Sequence, residues 1–138
     1  MEIDGLILPP LLTSMISTGR WPSASDSINK QNLQPLIPSD RNRKLRRICL
    51  YPPPFRTLAN STNDDFYRTH GAIWQLRPEL AIEIADFGIG SDTPILLYYD
   101  KSKTEPAVIN LDWQNSPNSN SWVVMADSFS AFVDLLGI

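Results

Sequence analysis

Apolar and polar residues are most regularly ordered between Asp86 and Trp113. Pro94-Ile95-Leu96-Leu97-Tyr98-Tyr99 is an apolar, aromatic run. Six residues of that kind, bounded by turn formers, predict a buried strand and not a helix. Pro94 stands at the first position, where a strand tolerates a missing N–H. Asp100-Lys101-Ser102-Lys103-Thr104-Glu105 is polar and charged, and predicts a hairpin loop. Beyond it Ala107, Ile109, Leu111 and Trp113 alternate with Pro106, Val108, Asn110 and Asp112. A period of two predicts a second strand with one buried face and one half-wet face. The central hairpin thus spans about 94–113.

The preceding loop carries Asp86, Gly88, Gly90, Ser91 and Asp92. Glycine reaches positive φ at no steric cost and aspartate caps turns, so these five residues predict a tight reversal. A phosphate cradle is the sharper alternative. It needs a glycine-rich loop that opens a helix, whereas this one opens a strand and lacks the full glycine spacing.

Further strands are predicted near 48–51 (Ile48-Cys49-Leu50-Tyr51), 82–87 and 122–126, with a weak one over 72–76. Arg77 to Leu80 suggests a single helical turn, and Asn60 to Arg68 a short capped helix. An N-terminal helix over about 10–18 follows Leu8-Pro9-Pro10, since proline suits a first helical turn. Leu8, Leu12 and Met15 share its apolar side, and Gly19 stops it. A C-terminal helix over about 128–136 is capped by Asp127 or Ser128 and stopped by Gly137. Its stripe Phe129, Phe132, Val133, Leu136 has the i, i+3, i+4, i+7 spacing of a core-facing helix. The fold class that results is α+β: one domain over 1–138, mainly antiparallel sheet, with a helix from each end covering it.

Composition narrows the function. The chain has 138 residues, enough to bury roughly 68% of its unfolded surface. Twelve prolines imply many irregular connections. The single cysteine, Cys49, excludes an internal disulfide, and with His70 as the only histidine no ordinary transition-metal cluster can be assembled. No metal or cofactor is expected. Met1-Glu2-Ile3-Asp4 is not the start of a signal peptide, and no apolar run is long enough to span a membrane. A cytoplasmic protein without membrane contact is expected.

Charge is unevenly distributed. Residues 1–60 hold eight Lys/Arg against four Asp/Glu, and residues 61–138 hold four against eleven, so the halves carry +4 and −7 within a net −3. The basic run Arg41 to Arg47 is short and has no interleaved aromatics, so nucleic acid is not the expected partner. Asp64 and Asp65 are adjacent and diverge, and His70 has no nucleophile motif beside it, so no catalytic constellation is found. Four carboxylates of the acidic half, Asp92, Asp100, Glu105 and Asp112, lie on or beside the central hairpin with Trp113. They form the candidate surface for a basic protein partner, with Trp113 as an aromatic anchor.

From Tyr51 onward the chain resembles the SUKH superfamily, which contains fungal cell-wall assembly regulators and many bacterial immunity proteins. The resemblance rests on the turn ADFGIGSD, the strand ILLYYD, its partner AVINLDW and the closing WVVMADSFSAFVDLLGI, with Leu8-Pro9-Pro10 ahead of the first helix. It covers the last 55 residues or so well and the first part loosely. Ser91 between Gly90 and Asp92 departs from the commoner pattern, as does the proline-rich middle. The resemblance implies an α+β domain that binds other proteins and carries no shared catalytic site. It implies an immunity protein that neutralises a cognate toxin, a basic domain encoded nearby, by direct binding, as a monomer or weak dimer. The alternative is a regulatory or scaffold protein with a non-toxin partner.

Overall fold

The architecture of the computed structural model is described over residues 1–23, 29–30, 48–61, 75–87, 94–100, 104–112 and 121–138, with only the backbone at 29–30. Two layers of cover enclose one sheet. The strands are β1 (Glu2–Ile3), β2 (Leu6–Ile7), β3 (Asn29–Lys30), β4 (Ile48–Leu50), β5 (Arg56–Thr57), β6 (Ala81–Asp86), β7 (Pro94–Tyr98), β8 (Ala107–Asp112) and β9 (Ser121–Ala126). The α-helices among the described residues are α1 (Pro10–Ser17) and α2 (Phe129–Leu136). The chain is an α+β domain with an antiparallel sheet ordered β3-β4-β6-β7-β8-β9, and β5 pairs with β6 beside β4.

The central hairpin forms in the expected register. Tyr98 pairs with Ala107 and Ile95 with Asn110, so the turn falls between Tyr98 and Ala107. At the other end Asp86 pairs with Pro94, which brings β6 back onto β7. The expected half-wet face of β8 is not found. Val108 and Asn110 are buried on one side, and Ile109 and Leu111 on the other. The alternation of Ala107, Ile109 and Leu111 with Val108 and Asn110 therefore marks two covered faces, because the chain supplies a separate cover for each.

The first face lies under the helices. α2 packs on β8 and β9 and touches α1. Phe129, Phe132, Val133 and Leu136 are all buried, as their spacing requires, and they meet Ile82, Leu97, Val108 and Ala126 in one apolar cluster. Each such side chain contributes about 1.5–3 kcal/mol by leaving water. Ser128 caps α2 by accepting from the Ala131 N–H at 3.1 Å, and Gly137 ends it in the left-handed region at φ 68°. Gly137 suits that terminus because a side chain there would be strained. Trp21 is buried beneath the end of α1. Its indole N–H donates to the Tyr51 carbonyl at 2.8 Å and its ring sits 5.8 Å from that of Phe129.

A second face lies on the other side of the sheet. Leu58, Leu76, Ala81, Leu96 and Ile109 form a small separate cluster, with Tyr98 and Trp122 at its margin. Its cover includes the 3-10 turns Leu58–Asn60 and Pro78–Leu80. The second turn is the one suggested by Arg77-Pro78-Glu79-Leu80. The N-terminal hairpin β1–β2 helps to hold the first: Asp4 accepts from Thr57 Oγ1 at 3.1 Å and from Asn60 Nδ2 at 2.7 Å. Asp4 and Gly5 make its two-residue turn at φ 51° and 86°. Asp-Gly is a strong signal for such a turn. The predicted weak strand over 72–76 and the capped helix near Asn60–Arg68 lie mostly outside the described residues.

Candidate functional site: an acid-rimmed groove on the second face

The strand pairing that buries β8 on both sides also builds a groove. Ile109 pairs with Val124, and Leu111 with Trp122, on the second face. Tyr98 and Ala107 form the next row. β9 is the last strand of the sheet, so its side chains reach beyond the cover given by the 3-10 turns. The result is a groove of about 510 Å³ with Leu76, Ala107, Ile109 and Trp122 among its apolar lining. Val124 lines it too and is 59% exposed. Asp100, Glu105 and Asp127 stand around the same groove, all three exposed. A second depression of about 350 Å³ shares Glu105 and Asp127 and continues between Pro9, Pro10 and Phe129.

Two hydrogen bonds fix the groove walls. The Tyr98 hydroxyl accepts from the Arg77 N–H at 3.0 Å, and the Trp122 N–H donates to Gln75 Oε1 at 3.2 Å. Both tie the end of the sheet to the segment that covers it. The neighbouring Arg77–Glu79 ion pair at 2.9 Å is exposed, so it adds little to stability. The Trp122 Nε1 donor is buried and has no acceptor among the described residues.

Farther along this face Glu83 points under the 3-10 cover. Burial pushes its carboxyl above the usual glutamate range, against the opposing pull of the Ser61 hydrogen bond and the Arg56 charge. One of its oxygens, Oε1, is buried with no donor among the described residues. On the helix-covered side the Tyr99 hydroxyl donates to the Ile7 carbonyl at 2.9 Å, and burial drives that phenol far above its ordinary value.

The residues expected to act from the sequence are split among several places. Asp100 and Glu105 come together at the turn of the central hairpin and share the groove. Asp112 does not join them. It pairs with Ser121 at the opposite end of β8, five residues from Ala107, or about 17 Å along an extended strand. Asp86 is only 6% exposed and accepts from the Tyr51 hydroxyl at 2.7 Å, an internal anchor at the end of β6. Gly88, Gly90, Ser91, Asp92 and Trp113 lie outside the described residues, as does His70. Asp127 and Trp122, which the sequence reading did not single out for binding, belong to the groove. Part of their signal was available: Trp122 lies in the strand expected over 122–126, and Asp127 follows its last residue.

The groove carries negative charge and apolar surface. Among the described residues no three Asp, Glu, His or Cys side chains are arranged to hold a metal ion. No described helix is long and apolar enough to cross a membrane. No family model matches the chain, and comparisons with curated proteins and with solved structures give no match either.

Proposed function

We propose that this protein is a non-enzymatic binding module, an immunity protein of the SUKH type that neutralises a basic toxin domain by direct contact. The observation that carries the proposal is the groove on the second face, where Asp100, Glu105 and Asp127 surround an apolar floor beside the last strand of the sheet. Fixed negative charge around apolar surface suits a cationic protein: the charges steer encounter and the apolar floor supplies contact area. The acidic balance of residues 61–138 extends the same field. The turn and strand motifs shared with the SUKH superfamily support the same reading.

The test is co-expression with the product of the neighbouring gene. The proposal expects growth to be restored and the two chains to co-elute as a complex at low salt, with weaker association as salt rises. A neighbouring product that is neither bound nor neutralised overturns it.

A further inference from the structure

Among the described residues no strand pairs with the outer edge of β9, and that edge defines what can lie beside the groove. In an antiparallel strand, alternate residues turn their N–H and C=O groups toward opposite neighbours. The Trp122 N–H goes to the Gln75 side chain and not to β8, so the outward direction at Trp122 is away from the sheet. Val124, two residues on, turns its backbone the same way. Its side chain is 59% exposed, and its outward groups bond to none of the described residues. Gln75 occupies the edge donor at Trp122 as a backbone carbonyl of an added strand would. Beyond Val124 the strand ends at Ala126, and the carboxylate of Asp127 follows at once.

We infer that β9 receives an extended segment of the partner by strand addition, with an apolar residue on Val124 and Trp122 and an arginine or lysine between Asp127, Asp100 and Glu105. Strand addition takes affinity from backbone hydrogen bonds and specificity from alternate side chains. Alternate residues of the added strand fall on the second face, directly over the groove. The apolar stem of an arginine or lysine matches the floor at Ala107 and Ile109, while its head group reaches the carboxylates. The charge around the groove selects a cation over an acidic or neutral segment. A bulge between Val108 and Ile109 shifts the β8–β9 register near this end, so the free edge is short and the bound segment spans only a few residues. This inference rests on the proposed protein-binding function and names the partner's contact chemistry.

The experiment uses the full chain and two capped tetrapeptides, Val-Thr-Arg-Thr and Val-Thr-Glu-Thr, in which valine and the charged residue stand two apart and so share one face of an extended strand. Chemical shifts should move at the backbone amides of 122–127 and at the Trp122 indole with the arginine peptide alone. Amide exchange at Val124 should slow by about tenfold or more when the peptide is bound. Val124→Pro removes the outward N–H at an edge position that accepts proline, and should weaken binding by about tenfold. Asp100→Asn with Asp127→Asn should do the same and reduce the salt dependence. Val124→Lys, which leaves the backbone intact and adds repulsion to a cationic segment, provides a second readout if the proline variant melts early. Shifts elsewhere, equal binding of the glutamate peptide, or unchanged binding by these variants would overturn the inference. A variant that still neutralises the neighbouring toxin as well as the wild type overturns the groove assignment and leaves the immunity reading standing. Arginine-peptide binding without any neutralised neighbour supports the groove and removes the immunity reading.

Discussion

The two faces of the sheet share the same strands and differ in what covers them. Under α1 and α2 the first face closes completely: Phe132, Leu12, Met15, Ile95 and Leu97 are fully buried, and the cap of α2 is satisfied. Among the described residues, the second face has a smaller apolar cluster, a buried Glu83 oxygen and Trp122 indole without partners, and a groove that opens at β9. Under the proposed function, recognition falls on the side of the sheet opposite the helices, where the groove opens.

The largest effect should come from the closed face. Phe132→Ala removes a side chain from rigid surroundings and should cost about 3–5 kcal/mol. Ile109→Ala borders the groove, where neighbours can relax or water can enter, and should cost about 2 kcal/mol, the low end for such a change. Denaturant melts of the two variants measure the difference directly. Equal losses would mean that the second face is packed as tightly as the first.

The Trp21–Tyr51–Asp86 chain of hydrogen bonds comes next. Tyr51→Phe leaves the buried Asp86 carboxylate without one of its donors and should cost about 1–2 kcal/mol. An unchanged melting midpoint would show that the end of β6 does not depend on this bond.

The smallest of these effects is a pH dependence on the second face. Burial raises the Glu83 carboxyl above its value in the unfolded chain. The folded state therefore keeps its proton longer, and Glu83 contributes stability at low pH that is lost as pH rises from the ordinary glutamate range through the raised value. Glu83→Gln has no proton to lose. Its stability relative to wild type should grow across that window, measured as the difference between two series of melts. A constant difference across the window would contradict the burial argument.

Much of the first face was legible because each of its signals is local. The stripe Phe129, Phe132, Val133, Leu136, the Ser128 cap and the Gly137 stop all lie within ten residues. The hairpin of β7 and β8 was legible for the same reason. Face-to-face cover was not, because alternation at Val108 and Ile109 reports two environments without saying whether both are dry. The Asp4-Gly5 turn carried a readable signal that the sequence reading did not use. Half of the groove followed from the short loop joining Asp100 to Glu105. Asp127 enters through the pairing of β8 with β9, and Asp112 leaves through strand length, two long-range facts that spacing along the chain does not encode.

The proposed function puts recognition on the face that carries the groove. Amide hydrogen exchange tests this most directly, comparing the full chain alone with the chain mixed with the product of the neighbouring gene. Added protection should fall on 122–127 and on 98–107, with little change over α1 and α2. Protection confined to the two helices, with β9 exchanging as it does in the free protein, would contradict it.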